Sequence, residues 1–276
     1  MKQAFAPWLA QLAPCSEIAL ALDAGVLRVR LVRPARKHAL TFAAYAHLLE
    51  ILQRIARAPD VHAVLLSGDG ADFCSGGDVH EIIGPLTQMS MPELLEFTRM
   101  TCAVVQAMLD CPQPIIALLD GVCAGAGAML ATAADLRLAT PAAQISFLFN
   151  RVGLCGADMG ACAMLPRQIG AARAAWLLYS GRSMTAQQGL DWGYLLALHA
   201  AADLPQAGLA LATELAAGPR FAHAMTKKML QQEWNLSLPQ ALEAEAQAQA
   251  LCMATGDFKR AHQAFSTRGP LQFEGN

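Results

Sequence analysis

Two glycine-rich segments about fifty residues apart contain the residues of this chain best suited to chemistry. They read Phe73-Cys74-Ser75-Gly76-Gly77-Asp78 and Asp120-Gly121-Val122-Cys123-Ala124-Gly125-Ala126-Gly127-Ala128. Small residues in a turn let the backbone approach a ligand closely and leave N–H groups free to point at it. Two such turns side by side can hold one oxygen that becomes negative during a reaction, which is the arrangement of an oxyanion hole.

Each glycine-rich segment follows an apolar run that predicts a buried strand, at 63–66 and 114–119, and leads into a segment with helical character. Strand and helix patterns alternate up to about residue 200, and only helices are evident from Leu204 onward. This order predicts an α/β core followed by a helical region. The remaining predicted elements are a hairpin that turns at Ala24-Gly25, helices at 41–58, 93–110, 166–180, 185–193, 204–217, 220–234 and 238–254, and strands at 136–139, 144–149 and 195–201.

The composition narrows the class of protein. Of the 276 residues, 55% are hydrophobic and 15% are charged, which is more apolar than ordinary soluble proteins. A membrane protein is therefore an alternative, but the glycines clustered between Gly121 and Gly127 interrupt the most apolar stretch before it reaches the ~18 residues of a membrane span. The pattern favours a helix buried in a large or oligomeric core.

Charge and cysteine usage exclude further classes. The net charge is −2 and no basic tract is present, which argues against nucleic acid as a partner. The eight cysteines form no Cys-x-x-Cys pair, so they lack metal or redox spacing. The first fourteen residues lack the pattern of a signal peptide. We expect a reduced, cytoplasmic protein that binds neither membrane nor nucleic acid.

Three other interpretations of the glycines fit poorly. A dinucleotide fingerprint would need a third glycine where the chain has Leu130 and an acidic residue near Ile145. Neither turn is followed by the Gly-Lys-Ser/Thr of a phosphate-binding loop. No Gly-x-Ser-x-Gly run of a serine hydrolase occurs.

Further segments accompany the two turns. In chain order the set is Arg33-Pro34-Ala35-Arg36-Lys37-His38-Ala39-Leu40, the first turn, the second turn, Ala134-Asp135-Leu136-Arg137, Val152-Gly153-Leu154, Met164-Leu165-Pro166-Arg167-Gln168-Ile169-Gly170, Gly181-Arg182 and Ala264-Phe265-Ser266-Thr267-Arg268. This set, in this order, resembles the crotonase, or enoyl-CoA hydratase/isomerase, superfamily from about residue 17 to the end.

The resemblance implies a fold, an assembly and a substrate class. The fold would be an α/β spiral of ββα turns at 17–203, with a C-terminal helical trimerisation region at 204–276 and an N-terminal extension at 1–16. The assembly would be a homotrimer or a dimer of trimers. The substrates would be acyl-CoA thioesters, with coenzyme A as part of the substrate and with no metal or redox cofactor.

The resemblance also assigns roles to residues. The thioester oxygen would be held by the backbone N–H groups of Gly77 and Ala126. Coenzyme A would lie over Ala39 and the Gly76-Gly77 turn, with Arg33, Arg36 and Lys37 as phosphate cations, although such cations are often only solvated surface. Phe265 and Arg268 match positions that in relatives cover the adenine and reach a phosphate, sometimes across a subunit interface.

The chain departs from the hydratases of this family at both glutamate positions. Met129 and Phe149 stand where those enzymes have the two glutamates, and neither side chain can transfer a proton. Asp158 is the candidate proton carrier instead, since an aspartate at this distance before Pro166 moves a proton in isomerase-like relatives. The alternative is an aspartate that only caps its loop.

The predicted catalytic set is therefore Gly77, Ala126 and Asp158. The predicted substrate-binding set is Arg33, Lys37, Ala39, Gly76, Asp78, Gly125, Met129, Phe149, Phe265 and Arg268. His80 and Glu81 are secondary candidates. Phe147 and Met159 would be further walls of an apolar acyl pocket, or they belong only to the hydrophobic core. Asp78 is expected to tie its turn together by hydrogen bonds.

The leading hypothesis is an enoyl-CoA hydratase/isomerase-type enzyme, a lyase or isomerase that stabilises a thioester enolate in the catabolism of aromatic, alicyclic or fatty acyl-CoA. One alternative is a non-catalytic acyl-CoA-binding homologue that has lost the glutamates. Another is an α/β scaffold with no thioester site.

Overall fold

Two β-sheets of unequal size organise the residues that the computed structural model describes, which are 8–12 and 15–276. The larger sheet has the strand order β1-β2-β3-β4-β6-β9 and the smaller one β5-β7-β8. The strands are β1 (Ile18–Asp23), β2 (Val26–Leu31), β3 (Ala63–Gly68), β4 (Ile115–Leu119), β5 (Val122–Ala124), β6 (Leu136–Ala139), β7 (Gln144–Ser146), β8 (Ser183–Thr185) and β9 (Ala197–Leu198).

Helices connect the strands and form the C-terminal region. They are α1 (Phe42–Ile55), α2 (Gly84–Leu86), α3 (Met91–Asp110), α4 (Ala126–Ala133), α5 (Ala161–Ile169), α6 (Ala171–Ser180), α7 (Ala186–Asp191), α8 (Leu204–Ala216), α9 (Arg220–Gln232), α10 (Leu238–Met253) and α11 (Gly256–Thr267). A π-helical turn spans Val79–Ile83, and short 3-10 turns span Leu9–Gln11, Pro34–Arg36, Leu148–Val152 and Glu233–Asn235.

The chain alternates between the two sheets as it spirals. The strand β4 lies in the larger sheet and β5 in the smaller one, and β6 and β7 repeat this step after α4. Earlier in the chain, parallel bridges join Leu40 to Gly77 and Cys74 to Cys123, so the segments after β2 and β3 follow the same path. Each turn of the spiral is therefore a strand, a second extended segment and a helix, and the α/β class predicted from the sequence is confirmed.

Local sequence signals account for several elements. The predicted hairpin is present, with β1 antiparallel to β2 and left-handed backbone at Ala24 (φ 46°) and Gly25 (φ 80°), as a tight hairpin turn requires. The hydroxyl of Thr41 accepts the Ala44 N–H and caps α1, and Ser90 forms a capping box before α3. These side chains start the helices because they satisfy N–H groups that have no partner within the helix.

The C-terminal helices cover the second face of the larger sheet. Residues Leu204, Ala212 and Ala216 of α8 pack in an apolar cluster with side chains of β3, β4 and β6. The buried Lys227 of α9 donates hydrogen bonds to Asp135 (2.8 Å) and to the carbonyls of Met108 and Gln113. In the described part of the chain, no helix is long and apolar enough to cross a membrane.

Three predicted elements differ from the structure, and one helix was missed. The helix expected at 166–180 is two helices, α5 and α6, because Gly170 adopts φ 87°, ψ 151° between them. The strand expected at 144–149 ends at Ser146 and continues as a 3-10 turn, and the strand expected at 195–201 is only β9. The helix α11 was not predicted. The predicted extension at 1–16 lies mostly outside the described residues, and the domain boundaries stay predictions.

Candidate active site

The two glycine-rich turns lie against each other. The Cys74 N–H donates to the Val122 carbonyl at 3.0 Å, and the Ala124 N–H donates to the Cys74 carbonyl at 2.8 Å. A Cβ added to Gly76 would lie 3.0 Å from the Ala124 carbonyl oxygen and 3.4 Å from the Ala126 nitrogen. Gly76 (φ 98°) and Gly125 (φ 52°) also have backbone conformations that side chains disfavour. Glycine is therefore needed where the turns meet.

The helix α4 begins in this contact. A Cβ on Gly127 would lie 2.3 Å from the Cys74 carbonyl oxygen and 2.7 Å from the Cys74 Cβ, so glycine allows the first turn of α4 to lie on the first glycine-rich segment. All eight residues of α4 are buried. The positive end of the α4 dipole is consequently directed at the place where the two turns meet.

Two backbone N–H groups remain available at this place. The Gly125 N–H donates to the Ser146 carbonyl and the Asp78 N–H to the Leu40 carbonyl, both at 2.9 Å. Gly77 and Ala126 are the chain neighbours of these two donors. Among the described residues, their own N–H groups have no carbonyl acceptor. The structure thus brings together the two donors that the sequence predicted, and their role toward a thioester stays a prediction.

The loop 33–40 packs on the first turn. The Leu40 N–H donates to the Gly76 carbonyl at 2.7 Å, and the Ser75 N–H donates to the Lys37 carbonyl at 2.9 Å. Lys37 and His38 adopt left-handed backbone at φ 48° and 55°. The side chains of Arg36 and Lys37 are exposed, and Ala39 is buried against the site. This placement is compatible with the predicted coenzyme A contact.

Arg33 is engaged within the protein. Its guanidinium donates to the Ala39 carbonyl at 2.8 Å and forms ion pairs with Glu81 at 2.9 Å and Asp78 at 3.2 Å. Asp78 also accepts the N–H groups of His80 and Glu81. Those hydrogen bonds, together with Arg33, hold the pKa of Asp78 below its usual range. Arg33 therefore links the loop 33–40 to the residues that follow the first glycine-rich turn. Its contact with a phosphate stays a prediction.

Asp158 is half-buried in the loop before α5. Burial raises the pKa of its carboxyl group, although the Met159 N–H donates to it and acts in the opposite direction. Its charge contributes to raising the pKa of Tyr45 in α1 and of Cys102 in α3, so the carboxylate lies in the neighbourhood of those two helices. A hydrogen bond from the adjacent N–H fits the capping alternative, and the raised pKa fits a base.

Tyr45 lies close to the first glycine-rich segment. A Cβ on Gly77 would lie 3.8 Å from the Tyr45 hydroxyl oxygen, and the same hydroxyl experiences the charge of Asp158. Of the predicted catalytic residues, Gly77 therefore lies beside Tyr45, and Asp158 is near enough for its charge to influence the tyrosine. Sequence reasoning missed Tyr45, which reads only as one more residue on the buried face of α1.

Met129 and Phe149, which the resemblance places at the glutamate positions, belong to the core. Met129 is 0% exposed and Phe149 is 6% exposed, and both belong to one apolar cluster with Phe147 and Met159. Apolar surroundings of this kind exclude water and strengthen electrostatic interactions. Whether these side chains contact an acyl group stays a prediction.

Phe265 and Arg268 lie at the end of the chain, on and directly after α11. The Phe265 side chain is 77% exposed, and Arg268 is also exposed. Within one described chain, no hydrogen bond or ion pair joins either residue to the glycine-rich turns. Their predicted contact with coenzyme A stays a prediction. His80 and Glu81 are exposed at the start of the π-helical turn.

Arg137 belongs to a motif recognised in the sequence, but its structural role was not predicted. Its buried guanidinium donates to the Ala131 and Ala134 carbonyls at 3.2 and 2.6 Å and to the Tyr194 carbonyl at 2.6 Å. It thus satisfies carbonyls at the C-terminal end of α4. In the described chain, no group of three or more His, Cys, Asp or Glu side chains could hold a metal ion.

Comparison with known proteins identifies the family to which the chain is similar. Residues 21–276 match the family model for enoyl-CoA hydratase/isomerase. The chain is 30% identical over 258 residues to 1,2-epoxyphenylacetyl-CoA isomerase of Escherichia coli, covering 92% of this chain and 97% of that protein. It is 33% identical over 256 residues to a probable enoyl-CoA hydratase of Rhodobacter capsulatus, covering 92% and 96%.

A solved structure from Streptomyces coelicolor A3(2), provisionally assigned as an enoyl-CoA hydratase, is also similar. It is 43% identical, with a TM-score of 0.92 over 98% of this chain and 100% of that one. The likeness confirms the crotonase-like spiral that the sequence resemblance implied.

Proposed function

Because the chain belongs to the enoyl-CoA hydratase/isomerase family of the crotonase superfamily, we propose that it is an acyl-CoA enzyme that binds the thioester oxygen with the N–H groups of Gly77 and Ala126 and moves a proton with Asp158. The observation that supports this most directly is the pair of unpartnered N–H groups where the two glycine turns meet.

The two N–H groups would act mainly on the enolate. When a base removes the α-proton of a thioester, the electron pair moves onto the carbonyl oxygen, which becomes negative. Donors fixed in place stabilise that oxygen without reorganising, and the loss of one such donor typically costs about 2.7–4 kcal/mol. The dipole of α4 acts in the same direction.

Asp158 is the group proposed to carry the proton. Its raised pKa makes the carboxylate a stronger base than an exposed aspartate. In a double-bond isomerisation the carboxylate would take the α-proton and return it at the γ-carbon, so that no proton is gained or lost overall. A two-glutamate hydration cannot operate, because Met129 and Phe149 occupy those positions.

We propose a ring-derived acyl group over a straight fatty chain. Met129 of α4 and Phe149 of the following 3-10 turn are large, buried apolar side chains, and the resemblance places them where hydratases have glutamates. The Escherichia coli relative is named for an epoxidised phenylacetyl-CoA, which supports the same class. Double-bond isomerisation, hydration with a single carboxylate and cleavage of a cyclic acyl group are the reaction types open to this site.

Assembly into a homotrimer or a dimer of trimers is part of the proposal. Large apolar side chains are exposed along the C-terminal helices, among them Leu230, Leu238, Leu242, Phe258 and Phe265. Exposed apolar patches of this kind favour subunit contacts. A partner subunit would also be needed to bring Phe265 and Arg268 onto a bound coenzyme A. A cytoplasmic location and the absence of a metal or redox cofactor remain predictions.

The test is proton exchange on a panel of enoyl-CoA and ring-derived acyl-CoA thioesters in D₂O, followed by mass spectrometry. We expect deuterium uptake with the wild-type protein and none with Asp158→Asn. Asp203→Asn is the matched control, since Asp203 is exposed and its side chain caps no helix. Binding of thioesters by wild type with no exchange on any of them would instead support the non-catalytic acyl-CoA binder.

A further inference from the structure

The Tyr45 side chain is held rigidly in the core beside the site. It is 2% exposed, and its ring packs edge-to-face on Phe97, with the ring centroids 6.0 Å apart. Phe97 in turn packs edge-to-face on Phe42 at 5.4 Å. Such contacts between α1 and α3 fix the direction of the Tyr45 ring. The hydroxyl therefore has a defined position.

That hydroxyl lies close to the Gly77 turn and is near enough to Asp158 to be influenced by its charge. It is 3.8 Å from where a Cβ on Gly77 would be. Burial, with the Cys74 thiol and the Asp158 carboxylate as lesser contributors, raises the pKa of Tyr45 well above its usual range. The phenol consequently stays protonated and can donate a hydrogen bond at any pH at which an enzyme works.

Among residues 8–12 and 15–276, no group accepts this hydrogen bond. Within the described residues the Tyr45 hydroxyl has no hydrogen-bond partner, whereas the other buried tyrosine, Tyr194, lies 3.0 Å from the Thr132 hydroxyl. Buried tyrosine hydroxyls usually have a partner, because an unpaired one is unfavourable. The Tyr45 oxygen is also not among the fully enclosed polar atoms without a partner. It therefore keeps a small solvent-accessible surface although the side chain as a whole is buried.

We propose that the Tyr45 hydroxyl donates to an oxygen atom on the acyl group, so that the site selects oxygen-bearing acyl-CoA thioesters over plain hydrocarbon ones. This inference rests on the acyl-CoA site proposed above. Gly77 would hold the oxygen of C1, and Asp158 would act on the α- or γ-proton. A donor near Gly77 that is also influenced by Asp158 would meet the substituents of C2 to C4, where a hydroxyl, keto, ether or epoxide oxygen would accept the bond.

Selectivity follows from what happens without that oxygen. A hydrocarbon group that fills the pocket displaces water from the Tyr45 hydroxyl and offers no acceptor, which is unfavourable for a buried donor. A well-placed neutral hydrogen bond corresponds to an affinity ratio of about 3- to 10-fold. Tyr45 is therefore assigned as a specificity-determining residue.

The test compares three thioesters that differ in one hydroxyl: phenylacetyl-CoA, 2-hydroxyphenylacetyl-CoA and 4-hydroxyphenylacetyl-CoA. Only the 2-hydroxy compound places its oxygen on C4 of the acyl group. Dissociation constants are measured by calorimetry for wild type and for Tyr45→Phe. We expect wild type to bind the 2-hydroxy compound about 3- to 10-fold more tightly than phenylacetyl-CoA. In Tyr45→Phe we expect that ratio to fall close to one, with the 4-hydroxy compound unaffected.

A stability control accompanies the binding data. Tyr45→Phe removes a hydroxyl without a protein partner, so its melting temperature should equal that of wild type or exceed it. Tyr194→Phe removes the hydroxyl beside Thr132 and should melt lower. A Tyr45→Phe variant as unstable as Tyr194→Phe would show that the Tyr45 hydroxyl is structurally bonded and would overturn the proposal.

The remaining outcomes are equally decisive. Uniform weakening of all three thioesters in Tyr45→Phe would make the hydroxyl a general contact and overturn the selectivity. An unchanged ratio, or a wild-type protein that does not prefer the 2-hydroxy compound or binds none of the three, would overturn it as well. Failure of the proposed enzymatic function is a separate result, namely no deuterium exchange on any thioester, whatever the binding ratio.

Discussion

Replacing Ala126 by proline removes one backbone N–H from the proposed oxyanion hole. Ala126 is the first residue of α4, the helical position at which proline is favoured because its N–H has no partner within the helix. Prolines already occupy the first turns of α3, α8 and α10. The added ring must fit beside Gly76, so we expect a loss in free energy of unfolding of at most about 2 kcal/mol.

The expected loss of activity is much larger than the loss of stability. The variant keeps the Gly77 N–H and lacks the other donor. Removing one oxyanion donor typically costs about 2.7–4 kcal/mol in the transition state, which corresponds to a decrease in kcat of about 10²–10³-fold. The neutral thioester is a weaker acceptor than the enolate, so the dissociation constant of the substrate should rise by less than about 10-fold.

The assay is deuterium exchange at the α-carbon, with Ala126→Gly as the matched control because glycine keeps the N–H. A second measurement needs no turnover: the absorption band of bound cinnamoyl-CoA should move to longer wavelength when the carbonyl is polarised. The shift should be equal in wild type and Ala126→Gly and clearly smaller in Ala126→Pro, which keeps only the Gly77 donor. A folded Ala126→Pro protein that exchanges within about threefold of wild type and keeps the band shift would refute the assignment of Ala126 as a donor.

Three other changes have calculable directions. Asp158→Asn should raise the free energy of unfolding at pH 7 relative to wild type, because burial raises the native pKa of Asp158 and so disfavours its charged form, by about 1.4 kcal/mol for each pKa unit. This gain should vanish below the unfolded aspartate pKa of about 3.9, where the carboxyl group is protonated in both states. Urea titrations at pH 7 and below pH ~3.9 measure the difference. Arg137→Met should lower the free energy of unfolding by at least about 2 kcal/mol, measured by urea titration, because carbonyls at the end of α4 lose a buried donor; a smaller loss would contradict the capping role. Gly127→Ala should reduce exchange activity at least about tenfold, because the added Cβ would push Cys74 away. Gly84→Ala is the control and should keep its activity, since its Cβ would meet nothing nearer than 3.6 Å. Equal activity in the two variants would show that the packing of α4 on Cys74 does not affect the reaction.

Residues whose role depends on local sequence could be predicted. The turn at Ala24-Gly25 and the cap at Thr41 follow from backbone preferences within a few residues. The glycine-rich turns could be recognised because their small residues stand out between apolar strands. The break at Gly170 could not, since this glycine sits between two stretches that both favour helix and only its left-handed conformation separates them.

Residues whose role depends on distant packing could not be predicted. Whether the Tyr45 hydroxyl has a partner depends on where the Gly77 turn lies, and the raised pKa of Asp158 depends on burial by the surrounding fold. Arg137 stands out in the sequence only as part of a motif, and its partners on α4 and at Tyr194 are set by tertiary structure. The sequence identifies these side chains, and packing gives them their environment.

The way α4 is stabilised explains how its N–H groups can stay free. The N-cap residue before α1 and before α7 is a threonine whose side chain accepts an N–H group. The N-cap residue before α4 is Gly125, which has no side chain to do so. A cap there would occupy the donors that the proposed oxyanion hole needs. An eight-residue helix without a cap is marginal by itself, so its stability must come from elsewhere: from complete burial, from Gly127 lying on the first turn, and from Arg137 at its C-terminal end. These contacts hold α4 in place and leave the Ala126 N–H available for the substrate oxygen of the proposed site.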